Sequence, residues 1–304
     1  MPELPDVVVY LAAIEARVLG QELRGVRLKS PFLVRTAVPP LAAVRGRKVT
    51  GLRRVGKRLV FVLGPVERSG EPAQLFLSLH LMIAGRLHWK PPGAALPRRT
   101  DLAAFDLENG CLLLTEAGTK KRAAVHVLAD EAGLAALDRG GLEPLTCERD
   151  EFAARLRSRP HTVKRALCDP RILSGIGNAY SDEILHHARL SPLQRVSNLT
   201  EEELTRLFDS IRAVLQLWTE RLRRESAGGF PAKVTAFRDG MAVHGRFGQP
   251  CPVCAAPIQR IVRTENEVNY CPRCQTEGKI LKDRALSQLL KDDWPSSLDE
   301  LEES

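Results

Sequence analysis

The 304-residue sequence has no apolar run near the ~18 residues that a membrane-spanning helix needs, which sets aside an integral membrane protein. Its start lacks a basic stretch followed by an apolar one, so no secretory leader is expected. No internal repeat is visible. Seven cysteines do not make a disulfide framework: four are paired by spacing, while Cys111, Cys147 and Cys168 stand alone. That usage suits a reducing compartment and one metal site. The expected location is the cytoplasm, with nucleoid association if the source is bacterial.

Apolar residues make up 44% of the chain, enough to bury a core, and the formal net charge is +8. The length allows two domains and a small module. The charge favours an anionic partner, either nucleic acid or a membrane surface, although solubility alone also accounts for it. Clustering favours nucleic acid: Arg45-Gly-Arg47-Lys48, Arg53-Arg54, Lys57-Arg58, Lys120-Lys121-Arg122 and Arg221 to Arg224. The opening Met-Pro-Glu-Leu-Pro-Asp places two prolines and two acids in six residues, where chains usually fray. Such restriction suggests that these residues are held.

Val7, Leu11, Ile14 and Val18 recur at helical spacing and predict a helix over 7–18. Pro5 and Asp6 suit its first turn, and Gly20 can end it. From 21 to 130 the pattern is one of short β-rich runs, at 23–28, 59–63, 75–81, 111–115 and 125–128, which implies a sandwich or barrel. From 148 helices dominate. Phe152 and Leu156 mark one. Thr200 and Glu203 form a capping box ahead of a stripe running from Leu204 to Leu222. Residues 226–231 read as a flexible loop, a short helix is expected over 286–290, and the acidic tail 299–303 is expected to be disordered and, by like charge, to stay off DNA.

Cys251-Pro-Val-Cys254 and Cys271-Pro-Arg-Cys274 are separated by sixteen residues. Two such turns offer four thiolates to one ion, the tetrahedral donor set that zinc prefers. A redox role would need one such pair beside a βαβ pattern, which is absent. Four protein ligands leave no open position, so the expected Zn2+ is structural. It either folds a segment with little core of its own or also holds a hairpin, with Arg260, Arg263 and Lys279, against a phosphate backbone. In Ile172-Leu-Ser-Gly-Ile-Gly-Asn-Ala-Tyr-Ser-Asp-Glu-Ile-Leu185, Gly175 and Gly177 precede a helix that starts at Asn178. That is either a phosphate-accepting turn or an ordinary helix connection.

Taken together, Pro2-Glu-Leu-Pro-Asp6, Val55-Gly-Lys-Arg-Leu59, Ser174 to Ile184, Val243 to Cys251 and the four cysteines resemble, in order, the formamidopyrimidine-DNA glycosylase and endonuclease VIII family. The likeness runs from residue 2 to about 278. It implies an α+β multidomain protein. A β-sandwich catalytic domain with an N-terminal helix (1–130) and a linker (131–147) would precede a helix–two-turn–helix DNA-binding domain (148–230). A zinc ribbon (243–278) and an extension (279–304) would complete the chain, with DNA in a basic cleft. The implied activity is that of a base-excision-repair glycosylase and abasic-site lyase, monomeric and acting on double-stranded DNA with a damaged base or abasic site.

In the resemblance Met1 is removed and the amine of Pro2 is the nucleophile, Glu3 the general acid, Asp6 the orienting acid and Lys57 a phosphate contact. Met82 or Ile83 would fill the space left by the flipped nucleotide. Lys120, Lys121 and Arg122 occupy a second loop, where an Asp-Pro-Arg-Arg-Phe-Gly stretch would be typical of formamidopyrimidine enzymes and the aromatic plug is missing. Asn178 carries over as a phosphate contact. The fingertip arginine of the family aligns with Asn266, which leaves Arg263 to supply its contact. The loop 226–238 also departs from purine-specific members, so oxidised purines and oxidised pyrimidines both stay open as substrates. A non-catalytic damage-binding protein on the same scaffold is the alternative. A zinc-ribbon transcription or topoisomerase accessory module would leave Pro2, Glu3 and Lys57 without a role.

Overall fold

The computed structural model describes residues 1–303 except 67–72, 232–233, 235–236, 263–265 and 283–295. Arg263 and the helix expected over 286–290 lie outside the described residues. The chain divides into two compact units, Met1–Arg139 with Trp218–Thr235, and Gly140–Leu217 with Ala236–Ser304. No helix among the described residues is long and apolar enough to cross a membrane.

In the first unit, helix α1 (Leu4–Val18) is followed by strands β1 (Glu22–Leu28), β2 (Arg47–Val55), β3 (Arg58–Leu63), β4 (Leu75–His80), β5 (Gly85–Lys90), β6 (Asp101–Leu107), β7 (Cys111–Glu116) and β8 (Ala124–Leu128), then helix α2 (Glu131–Ala135). The antiparallel order is β5-β7-β6-β1-β2-β3-β4-β8. Only two residue pairs, Glu22 with Lys48 and Leu23 with Arg47, join β1 to β2. The order therefore folds as a sandwich of two four-stranded layers. Period-two alternation does the rest. Leu59, Phe61 and Leu63 of β3 and Leu75, Leu77 and Leu79 of β4 face the interior with Leu87, Phe105, Leu112 and Leu114. Val60, Val62 and Phe76 point the other way and pack with Leu134, next to the end of α2.

α1 begins three residues earlier than its apolar stripe predicts, because Glu3 caps it and Pro5 fits its first turn. Val7, Tyr10, Ile14 and Val18 join the sandwich core, and the Leu87 N–H donates to the Tyr10 hydroxyl at 3.3 Å. The segment after Ser226 is anchored rather than free: the Phe230 ring lies 5.8 Å from that of Tyr10, with Arg17 over its face. Arg47, counted above among the basic clusters, is a core residue. It is fully buried, and its guanidinium donates to the carbonyls of Ala43 and Gly64, each at 2.9 Å.

The second unit carries α3 (Arg149–Arg157), α4 (Val163–Cys168), α5 (Asn178–His187) and most of α6 (Glu201–Ser226), whose last turns belong to the first unit. The capping box is present: the Thr200 N–H donates to Glu203 Oε2 (3.0 Å) and the Glu203 N–H to Thr200 Oγ1 (3.2 Å). A ribbon follows, made of β9 (Gln259–Val262), β10 (Glu267–Tyr270) and α7 (Pro272–Thr276). The tail departs from expectation, since Leu298–Glu303 form a helix, α8. The reason is local. Ser296 N–H donates to Glu300 (2.6 Å), Leu298 N–H donates to the Gly278 carbonyl (2.9 Å), and the Leu298 side chain buries beside Cys251 and Cys271. Leu298→Ala should cost about 2 kcal/mol, read as a lower urea midpoint for the second unit.

Candidate functional site

In the first unit the chain start is buried. Pro2 is enclosed, and Glu3 and Asp6 are each 2% exposed. The Glu3 N–H donates to Asp6 Oδ2 at 2.9 Å, one half of a capping box at the head of α1. Aspartate is thus long enough to reach the Glu3 N–H, although glutamate is usual there in the family the sequence resembles. Burial pushes the terminal amine below its ordinary range. Glu3 opposes that shift, Arg86 reinforces it, and Asp6 and Lys57 act more weakly in the same two senses. Those charges define the surroundings of the amine: two buried carboxylates and two cations. Lys57 occupies the tight turn closed by the Val55–Arg58 pair, and Arg86 donates to the carbonyls of Ile83 (3.2 Å) and Gly85 (2.7 Å).

The turn that Arg86 braces holds Met82 and Ile83. A side chain at Gly85 would bring its Cβ within 2.2 Å of the Leu81 carbonyl oxygen, so only glycine closes this turn. Met82 has φ +52°, a conformation that costs a non-glycine residue about 1 kcal/mol or more. Ile83 is 53% exposed, whereas Met82 is half-buried. The second loop hangs from the same place, because Gly85 pairs with Glu116 across β5 and β7. Glu116 is buried and its carboxylate accepts the N–H groups of Arg122 (3.0 Å) and Ala123 (3.2 Å). Lys121 donates to the Glu116 carbonyl. Lys120, Lys121 and Arg122 are exposed.

In the second unit Gly175 takes φ +82°, leading into α5 at Asn178. The Asn178 side-chain amide donates to the Glu267 carbonyl at 2.8 Å, which ties the head of α5 to β10. The following Ser-Asp-Glu serves the architecture. Asp182, fully buried, binds Lys164 Nζ (2.5 Å) with one oxygen and lies 2.7 Å from His244 Nδ1 with the other. Glu183 accepts the backbone N–H groups of Ala242 (2.7 Å), Val243 and His244 (both 2.9 Å). Together they fasten the segment that leads into the ribbon to α5.

The Sγ atoms of Cys251, Cys254, Cys271 and Cys274 lie within 4.8 Å of one another. Tetrahedral Zn–S bonds of ~2.3 Å demand S···S separations of ~3.8 Å, and the cross pairs stand at 3.9 Å (Cys251–Cys274) and 3.4 Å (Cys254–Cys271). The donor set fits structural zinc. His186 Nε2 sits 3.4 Å from Cys251 Sγ, a further link from α5 to the ribbon.

Residues 1–121 match the formamidopyrimidine-DNA glycosylase N-terminal domain, residues 141–224 the formamidopyrimidine-DNA glycosylase H2TH domain, and residues 248–276 the zinc finger found in FPG and IleRS. The formamidopyrimidine-DNA glycosylase of Symbiobacterium thermophilum is 33% identical over 301 residues, covering 93% of each chain. That of Thermus thermophilus is 34% identical over 288 residues, covering 91% of this chain and all of the relative. The chain belongs to the formamidopyrimidine-DNA glycosylase family. Wild-type Lactococcus lactis FPG, solved with DNA containing an oxidized pyrimidine, aligns with a TM-score of 0.78 at 26% identity, over 90% of this chain and all of that one.

Within this family frame, three residues of the first unit were not singled out from sequence. Arg86 follows the Met82 turn and Glu116 precedes the basic loop, but neither position has a spacing signature. His80 ends β4 opposite Arg58. Burial pushes its imidazole down to about 4, with Arg58, Lys57 and His126 adding to the effect. A neutral native His80 adds stability that is full above the ordinary value of 6.5 and is lost as pH falls toward 4, where the unfolded chain alone is protonated. His80→Asn should flatten this acid limb by about 3 kcal/mol, measured by urea titrations at successive pH values. Glu116→Ala removes the acceptor of the Arg122 N–H and of the buried Ala123 N–H, so a loss of about 2 kcal/mol and faster amide exchange at Arg122 and Ala123 are expected. Chelation of the metal should melt the ribbon while the sandwich of the first unit keeps its circular-dichroism signal.

Proposed function

We propose that this family member is a base-excision-repair DNA glycosylase with abasic-site lyase activity. Its substrate would be double-stranded DNA carrying an oxidised base or an abasic site. The observation that supports this reading most directly is the buried chain start, where a terminal amine whose pKa is lowered by burial feels the nearby charges of Glu3 and Asp6, both carboxylates buried. Removal of Met1 would make the Pro2 nitrogen that amine. Curated relatives carrying the glycosylase name, and Lactococcus lactis FPG structures with Fapy-dG, oxidized-pyrimidine and abasic-site DNA, support the same reading.

In this proposal the Pro2 nitrogen donates its lone pair to the sugar C1′. The C1′–base bond breaks, and its electron pair and a proton leave with the base. Glu3 protonates O4′ as the ring opens. A secondary amine then yields an iminium with no N–H to lose. Its fixed positive charge accepts electrons when the C2′ proton departs and the 3′ phosphate is expelled. A second elimination would expel the 5′ phosphate, and water would release the enzyme. Lys57 and Asn178 would hold backbone phosphates, Met82 or Ile83 would occupy the emptied stack, and Lys120, Lys121 and Arg122 would face the opposite strand. Zinc would keep the ribbon folded and take no part in bond making.

Borohydride added to enzyme and abasic duplex is expected to trap a covalent adduct. A residue or tag left ahead of Pro2 should abolish it, and Glu3→Gln should lower base release by 10²-fold or more. Arg86→Gln removes a charge that depresses the amine's pKa, so half-maximal trapping should move to higher pH. Binding without any adduct across a panel of single-lesion duplexes would instead favour the non-catalytic damage-binding reading, which the missing aromatic in the 116–123 loop motivates. The same panel identifies the lesion.

A further inference from the structure

We infer that Arg165 and Arg195 form a phosphodiester clamp on the helical unit, taking the place of the fingertip arginine that position 266 lacks. The inference rests on the DNA-binding reading above. It begins with a cavity of about 390 Å³ in the second unit, lined among others by Lys164, Arg165, Cys168, Asn178, Arg195 and Asn266. Asn178 and Asn266, the two positions that the family alignment associates with phosphate, therefore face one space, and both are uncharged carboxamides. One of them is already committed, since the Asn178 amide donates to the Glu267 carbonyl.

The charge in this cavity comes from elsewhere. Lys164 is spent on Asp182 at 2.5 Å, with both side chains buried, and His161 Nε2 stands 3.5 Å from Asp169 Oδ2. Arg165 and Arg195 are exposed and make no ion pair among the described residues. The nearby acids are turned to other partners: Asp169 to Arg171 at 2.9 Å, and Glu267 to Arg260 at 3.3 Å. Two guanidinium groups are thus left to one cavity with no carboxylate paired to them among the described residues.

Their supports are firm. Arg165 stands in the first turn of α4 and Arg195 opposite Thr162 in an antiparallel bridge. The Val163 N–H donates to the Gln194 carbonyl (2.9 Å) and the Val196 N–H to the His161 carbonyl (3.0 Å). Both arginines therefore hang from one short, doubly bonded ladder. The ten-residue α5 begins at Asn178, so the positive end of its dipole adds to the field. A guanidinium fork matches two phosphate oxygens in a way that an asparagine cannot. The dianionic form is not required; a diester monoanion gains from both forks.

The test is binding of the full chain to a duplex with a reduced, uncleavable abasic site, followed by anisotropy from low to high salt. Each phosphate contact contributes ~0.9 to the slope of log K against log salt. Arg165→Gln with Arg195→Gln should lower that slope by ~1–2 and weaken binding at least tenfold near ~0.15 M salt, with the kinetic loss falling on KM rather than kcat. Arg165→Lys with Arg195→Lys should keep the slope. Adding Asn266→Arg to the double glutamine variant should restore affinity. Cys168, the half-buried thiol of the same cavity, gives a second readout: DNA should protect it from alkylation in the wild type and fail to do so in the glutamine variant. Unchanged slope and affinity in the glutamine variant would overturn the clamp. Because the probe cannot be cleaved, a reduced slope without any borohydride adduct sinks only the catalytic reading, and cleavage with an unchanged slope sinks only the clamp.

Discussion

The Glu3 backbone N–H bonded to Asp6 at 2.9 Å fixes the first residues of the chain as the first turn of a helix. Everything else about the catalytic proposal depends on that bond. A chain start normally samples many conformations at little cost. Here it is closed by a proline-containing helix head, buried acids, and α1 packed through Tyr10 and Ile14 into the sandwich. Ordering the amine in advance removes an entropy that would otherwise be lost in each encounter with substrate. Burial then lowers its pKa, which favours the neutral form that the proposal needs.

The second unit solves a different problem. A ribbon of some thirty residues has little apolar mass, with a core of only a few side chains around Val243, Ile258 and Cys271. Four thiolates placed to hold one metal would supply part of its order, and the three-amide cradle of Glu183 supplies the join to α5. The motif Ser-Asp-Glu therefore holds architecture, while Asn178, three residues ahead of it, sits at the cavity. The terminal segment adds to the same core through Leu298, although it lies beyond the residues matched as a zinc finger.

The sequence carried some of this plainly. Cysteine spacing and the Thr200–Glu203 box are short-range constraints, readable because every participant lies within a few residues. Strands β3, β4 and β7 showed as apolar runs. Strand β6 did not, because a bulge between Asp101 and Ala103 turns adjacent Leu102 and Ala103 inward together and spoils alternation. Arg47 read as surface charge because nothing local announces that carbonyls 4 and 17 residues away will satisfy it. Likewise Glu3, Asp6 and Lys57 were proposed by family likeness, whereas Arg86, Glu116 and His80 drew notice only once strand register had given each its partners. The tail's helix depended on a docking partner in Gly278, which composition does not reveal.

One pairing has a wider consequence. Gly85 opposite Glu116 suspends both the Met82 turn and the 116–123 loop from a single rung of β5 and β7. Such a hinge point couples their histories: a residue gained or lost within either strand would displace both loops as one body. Substitutions within the loops, by contrast, leave the rung untouched. Loop sequence on this scaffold can therefore be exchanged without disturbing the rung that places both loops.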